Sequence, residues 1–304
     1  MKLATFNRGG ACAVGIVEGN AVLELGAGWQ RFGQGEPPSD MLGLIAGGPA
    51  TLEAVRKVRE AALVSKDDLA LWKPLSQVRL DAPIQRPRKN VFCVGRNYKA
   101  HIEEGARARG LKVEFPVFPE FFSKPPTTVI GHEHDIRLDP KLTQQFDYEV
   151  ELGIVIGRTA RDIGATAASD AIFGYTVVND VTARDLQFRH GQWFKGKGLD
   201  TTCPIGPWIV TKDEFGDPSG HRITLRVNGE TRQDSNTSDL LFDCAAIVAS
   251  LSEGLTIEAG DIIATGTPSG VALGMSPQKW LKDADIIEAE VEGIGVLRNR
   301  VRAS

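Results

Sequence analysis

Apolar and polar positions along this chain fall into two rhythms, period two for strands and a spacing of three to four for helices. Residues 1–25 predict short strands joined by the turns Arg8-Gly9-Gly10 and Glu18-Gly19-Asn20. Leu52, Val55, Val58, Ala62 and Leu63 recur at helical spacing and predict a helix over 51–64, capped by Thr51. Together these form a small N-terminal α/β domain, 1–75. Residues 76–90, with Pro83 and Pro87, look like a linker into a larger, strand-rich domain, 91–304. There Val91-Phe92-Cys93-Val94, residues 146–157 and residues 172–179 predict strands. Residues 223–234 predict a hairpin turning at Asn228-Gly229. Leu240, Leu241, Cys244, Ile247, Val248 and Leu251 share one helical face, with Ser238 or Asp239 as cap. Ile287, Ala289 and Val291 alternate with three glutamates, and the chain turns at Gly293-Ile294-Gly295 into a last strand over 296–301. The fold class is mixed and β-rich, α+β.

Composition narrows the partners. The 304 residues are 42% hydrophobic and 24% charged, the usage of a soluble globular protein, and the net charge of -4 argues against nucleic acid. No apolar run is long enough to span a bilayer, and the first residues lack a signal-peptide core, so a cytoplasmic protein without membrane contact is expected. Cys12, Cys93, Cys203 and Cys244 lie far apart with no CxxC pairing and are expected to be reduced.

Candidate chemistry begins at Glu149 and Glu151. On a strand these two project from one face, while Val150 and Leu152 project from the other. Paired like charges in a greasy strand suit a hard divalent ion, although an exposed edge strand would also carry them. If the chain from Lys99 onward is helical, His101 and Glu104 are neighbours on one face, and the carboxylate would fix the imidazole as a general base. Asp180 ends a buried strand and could supply a third ligand, or cap a helix from Val181. Arg184 and Gln187 lie one helical turn apart, suited to holding a carboxylate or carbonyl. Lys195-Gly196-Lys197-Gly198 offers cations on a backbone that can approach a ligand closely. Thr265-Gly266-Thr267-Pro268-Ser269-Gly270 offers hydroxyls and N–H groups to an anion, without a P-loop ending.

In this order the segments resemble the fumarylacetoacetate hydrolase family, over about 91–302. The motifs are Gly-Arg-Asn-Tyr-x-x-His at 95–101, Asp147-Tyr148-Glu149-Val150-Glu151-Leu152, and Asn179-Asp180-Val181-Thr182-Ala183-Arg184-Asp185. Lys195-Gly196-Lys197 with Cys203-Pro204-Ile205-Gly206, Thr265-Gly266-Thr267-Pro268 and Glu292-Gly293-Ile294-Gly295 complete them. The resemblance implies a distorted β-roll behind a small N-terminal domain, usually as a homodimer. It implies Mg²⁺ or Mn²⁺ on Glu149, Glu151 and Asp180, with no fourth acidic ligand near 91–98. His101 with Glu104 would activate water on a lid, and Lys197 would stabilise an anion. Arg96, Tyr98, Arg184, Gln187 and Thr267 would contact a small carboxylate substrate.

The implied activity is hydrolysis of a carbon–carbon bond in a β-diketo acid of the acylpyruvate type, in aromatic or sugar-acid catabolism. The alternative on the same site is an enol–keto isomerase (tautomerase) or a decarboxylase. A carboxylate-binding protein with a degenerate site is the reading from another class, opposed by the retention of all three acids and the His–Glu pair. Trp193, Trp208 and Trp280 are assigned to core packing. His132 and His134 are assigned to a solvated loop, His190 and His221 to the surface, and 105–120 carries no readable role.

Overall fold

A computed structural model describes residues 1–303. Two large antiparallel-rich sheets organise it, as the alternating pattern predicts. The larger has twelve strands, and its central run places Cys203–Thr211, Ile172–Asn179, Val150–Ile156, Ile262–Ala264 and Val91–Gly95 side by side. The smaller has five: Glu230–Asn236, Arg222–Val227, Ile286–Val291, Gly295–Ala303 and Asp135–Leu138. The architecture is the mixed, strand-rich α+β class expected, with open sheets.

Alternation decides which face meets which. Val150, Leu152, Ile154 and Ile156 turn to one side of the large sheet and pack with Ile223, Leu225, Ile287, Ala289 and Val291 of the small one. Val155 and Val178 turn to the opposite side, into a second core with Trp29, Leu44, Val55 and Val58 of the N-terminal helices. Each strand thus separates two cores, which is why these segments are nearly continuously apolar.

Strand direction then gathers the polar ends. Val91–Gly95 and Ile262–Ala264 run parallel, and Val150–Ile156 runs antiparallel to Ile262–Ala264 and to Ile172–Asn179. The end of the first, second and fourth strands and the start of the third therefore share one edge of the sheet. That edge carries Arg96, Thr265 to Thr267, Asp180, Glu149 and Glu151.

Several local expectations shift. The first long helix is Gly48–Leu63, beginning at Gly47 with Pro49 in its first turn, so Thr51 lies inside it and caps nothing. The later helix is Cys244–Ser252, and Asp243, not Ser238 or Asp239, accepts from the Ala246 N–H as its cap. Leu240 instead forms an isolated bridge with Tyr98. Residues 79–81 form a strand paired with Lys2–Arg8, and Lys2–Arg8 pairs in turn with Cys203–Thr211. The hairpin turns at Asn228-Gly229 as expected, with φ of 52° and 80°. Cys12 is exposed, the other three cysteines are buried, and all are free. No helix among the described residues is long and apolar enough to cross a membrane.

Candidate metal centre

The register Val150↔Asn179 sets the strand starting at Val150 beside the end of Ile172–Asn179. The Asp180 N–H donates to the Glu149 carbonyl at 2.8 Å, and the Glu149 N–H donates to Asn179 Oδ1 at 3.1 Å. Glu149, Glu151 and Asp180 are thereby brought together, each offering an oxygen within 4.8 Å of the others, all buried. Asp180 caps no helix. Thr182–Ala183 is a short strand, and the helix begins only at Arg184.

Cations crowd this cluster. Lys197 Nζ lies 2.7 Å from Glu149 Oε2 and 2.6 Å from Asp180 Oδ2. Lys124 Nζ lies 2.7 Å from Asp180 Oδ1 and donates to the Val181 carbonyl at 3.0 Å. Arg184 donates to Asp147 at 2.9 Å, to Gln187 at 3.2 Å and to Glu149. Burial alone would raise the Glu149 carboxyl, but Lys197 and Arg184 outweigh it and hold the group well below the usual range. Burial would likewise lower the Lys197 ammonium, yet Asp180 and Glu149 hold it above its ordinary value.

Glu151 differs. It is 1% exposed, and its hydrogen bond comes from the Gly266 N–H at 2.7 Å. Burial, Asp180 and Glu149 push its carboxyl well above the ordinary value, and no ion pair reaches it among the described residues. Four buried carboxylates (Asp147, Glu149, Glu151, Asp180) thus face three buried cations, Lys124, Arg184 and Lys197. A buried carboxylate without a cation is costly, and three convergent oxygen donors are the set a hard divalent ion takes. The cluster fits such an ion.

The helix Lys99–Ala108, the segment expected to act as a lid and called the lid helix below, carries His101 to the same cavity as Glu149 and Glu151. Asn97 fixes its start: its side-chain amide donates to the Thr265 carbonyl at 2.7 Å and to the Phe242 carbonyl, and its oxygen accepts from the Phe242 N–H. His101 Nδ1 lies 3.4 Å from Glu104 Oε2, as the i, i+3 spacing predicts. Glu104 Oε1 accepts from the Gly270 N–H at 2.9 Å.

One cavity joins these parts. It is lined by Arg96, His101, Glu149, Glu151, Arg184, Gln187, Lys197 and Thr267, with Phe122, Phe188 and Trp193 as apolar walls. Tyr98 is not part of that wall. Its side chain is buried, its hydroxyl has no hydrogen-bond partner among the described residues, and burial raises its pKa. Arg96, in the left-handed region at φ 55°, pairs with Glu120 at 2.9 Å and donates to the Glu114 carbonyl, tying the stretch after the lid helix back to its start. The Thr267 hydroxyl donates to the Val150 carbonyl and accepts from Gln233, so the protein itself holds it in place.

Three readings need correction. Trp193 walls the cavity and is not core. It meets Phe122 edge-on at 5.5 Å, and a side chain at Gly95 would strike its ring. Gly196 brings its short helix against the backbone of Ala183 and Gln187, where a Cβ would lie 2.5 to 2.6 Å away, so its smallness serves packing within the chain. His132 and His134 are half-buried: His132 Nδ1 accepts from the Arg298 N–H, and His134 Nε2 lies 3.0 Å from Asp81. Asp147 and Lys124 are the functional side chains that sequence reasoning missed. Asp147 holds Arg184 and also accepts from the Ala272 and Leu273 N–H groups. The signal for Lys124 was a lone lysine in Phe121-Phe122-Ser123-Lys124-Pro125, where only a buried partner makes a charge tolerable.

Residues 90–302 match the fumarylacetoacetate (FAA) hydrolase C-terminal family. The chain belongs to the fumarylacetoacetate hydrolase family. It is similar to oxaloacetate tautomerase YisK of Bacillus subtilis, 42% identical over 305 residues, covering 99% of this chain and 100% of that protein. The solved fumarylacetoacetate hydrolase of Exiguobacterium antarcticum superposes with a TM-score of 0.81 at 40% identity, each chain fully covered. Maleylpyruvate hydrolase from Sphingobium sp. SYK-6, solved with manganese (II) and pyruvate, superposes at 0.76 with 31% identity and full coverage of both chains. The family therefore contains both isomerising and hydrolytic relatives of this enzyme fold.

Proposed function

We propose that this protein is a divalent-metal-dependent keto–enol tautomerase of oxaloacetate or a closely similar 2-oxo acid. The observation that carries the reading is the 42% identity to an oxaloacetate tautomerase along essentially the whole of both chains. Identity to the hydrolase solved with pyruvate is 31%. The reading reverses the order expected from sequence, where carbon–carbon hydrolysis came first and isomerisation second.

Tautomerisation moves one proton between the enol oxygen and C3 and neither adds nor expels an atom. It needs a base, a charge stabiliser and a dry site, and no positioned water. Bound Mg²⁺ or Mn²⁺ on Glu149, Glu151 and Asp180 would grip the 2-oxo acid end of the substrate and polarise it as a Lewis acid. The chain's own groups do the rest. With His101 Nδ1 turned to Glu104, Nε2 is the nitrogen that takes and returns the proton. Lys197 keeps a positive charge beside the acids, where negative charge on the enolate develops. Gln187, whose Oε1 accepts from Arg184, orients the substrate's polar end, and Phe122, Phe188 and Trp193 keep bulk water out. A base of this kind contributes about 10²–10⁴-fold. A homodimer in the cytoplasm, expected from sequence, belongs to the same proposal, and light scattering on the purified chain tests the dimer.

The test follows the decay of enol oxaloacetate by ultraviolet absorbance. Acceleration by the Mn²⁺- or Mg²⁺-loaded protein, abolished by EDTA and by Glu151→Gln, is expected. Decay no faster than in buffer, with either metal present, overturns the reading.

A further inference from the structure

Lysine and arginine side chains around the cavity are nearly all spoken for. Arg96 pairs with Glu120, Arg184 with Asp147 and Glu149, and Lys197 with Glu149 and Asp180. Arg109 is the exception. It lines the same cavity, and no carboxylate lies within ion-pair distance of it among the described residues. Its Nε donates to the Gly105 carbonyl at 3.2 Å, and its guanidinium stacks over the Phe188 ring at 5.3 Å. Those two contacts hold the guanidinium against the cavity wall, while both terminal nitrogens have no hydrogen-bond partner among the described residues. A planar fork held in this way suits bidentate capture of a carboxylate.

Its place at the C-terminal cap of the lid helix sets it apart from the proposed base. His101 and Gly105 lie one helical turn apart, Arg109 follows just past the last turn, and all three line the cavity. Gly105 is the gap between them: a Cβ there would meet nothing within 4 Å. Glycine inside a helix costs about 1 kcal/mol relative to alanine, and no turn or close approach at this position calls for it. What it provides is a notch between the proposed base and the free guanidinium.

The geometry points to a distal-carboxylate subsite, in which Arg109 binds the second carboxylate of a 2-oxo diacid whose chain passes through the notch at Gly105. The inference rests on the proposed reading of the site as one for 2-oxo acids, and it makes Arg109 a specificity residue rather than a catalytic one. A metal held by Glu149, Glu151 and Asp180 would take one terminus, and Arg109 measures the charge at the other. A monoacid of equal length would leave the guanidinium unpaired and lose that contact.

The test compares inhibitory or equilibrium binding of 2-oxoglutarate and 2-oxopentanoate, equal in length and differing only in the terminal carboxylate, to the Mn²⁺-loaded full chain. The wild type is expected to favour the diacid about tenfold or more, the value of one charge-assisted contact. Arg109→Met, which keeps a stem over Phe188, should bring the ratio close to one while leaving monoacid affinity unchanged, and Arg109→Lys should restore part of the preference. Gly105→Leu should weaken both acids while leaving oxalate, a short chelating probe, bound as before. A wild-type ratio near one, a ratio that survives in Arg109→Met, or an equal loss for both acids overturns the subsite. Because the readout is binding, a diacid preference that depends on Arg109 but comes without enol turnover would sink the tautomerase reading and leave the subsite standing. Turnover without the preference would do the reverse.

Discussion

Glu104 and Gly270 are joined by a 2.9 Å hydrogen bond from the Gly270 N–H to Glu104 Oε1, which leaves Oε2 turned to His101. The lid helix is therefore clamped to the loop after Ile262–Ala264 through the very carboxylate proposed to orient the base. Loss of that clamp should read out as lost rate before lost fold.

Gly274 gives the cleanest way to disturb it. A Cβ at Gly274 would lie 2.2 to 2.3 Å from Glu104 Cγ, Cδ and Oε1, and its own backbone is not in the left-handed region. Gly274→Ala is expected to displace Glu104 and lower kcat about tenfold or more, part of the 10²–10⁴-fold that a general base contributes. Mn²⁺ affinity, set by Glu149, Glu151 and Asp180, should hold. Equal loss of metal binding, by titration, would contradict the separation of base from metal site.

Lys124 carries the second prediction. It is fully buried, with its ammonium on Asp180 and the Val181 carbonyl. Removing one partner of a buried ion pair strands the other, at a cost of about 3–5 kcal/mol. Lys124→Met should lose about that much in urea unfolding of the metal-free chain. Added Mn²⁺ should recover part of it by neutralising Asp180. A variant as stable as the wild type would show that Lys197 alone satisfies Asp180.

Acid stability offers a third. His132 Nδ1 accepts from the Arg298 N–H, so the ring is held unprotonated at that nitrogen, and burial lowers its pKa from the ordinary 6.5. A histidine depressed on folding binds its proton more readily when unfolded, so the contribution is complete above the unfolded value and is lost as pH falls below it. The slope from one such group is at most about 1.4 kcal/mol per pH unit. His132→Asn, whose side-chain oxygen can take over the acceptor role, should flatten the fall in urea midpoint below pH 6.5. An unchanged slope would assign acid sensitivity to other groups, His134 beside Asp81 among them.

What the sequence disclosed and what it hid divide along physical lines. Period-two alternation placed Glu149 and Glu151 on one face and Val150 and Leu152 on the other, because strand geometry is local. The i, i+3 spacing placed His101 beside Glu104 for the same reason. Helix starts moved because capping depends on where the chain arrives from: Asp243 takes the role given to Ser238 or Asp239, while Leu240 is drawn into a bridge with Tyr98. Long-range pairs were invisible. Nothing near Lys124 in sequence announces Asp180, 56 positions on, and nothing near Trp193 announces the Gly95 surface it covers. Arg184 looked free for substrate because its two acidic partners, Asp147 and Glu149, lie more than thirty positions earlier in the chain.

The central claim is that this site moves a proton and breaks no carbon–carbon bond. The most direct measurement incubates the Mg²⁺- or Mn²⁺-loaded protein with oxaloacetate and a panel of acylpyruvates in D₂O and follows all carbons and protons by NMR. The account predicts enzyme-accelerated exchange of the C3 protons of oxaloacetate with no cleavage products, lost with EDTA and with His101→Ala. Accumulation of pyruvate together with the acid from the other half of an acylpyruvate, at a rate above that of C3 exchange, would contradict it and return the protein to the hydrolases.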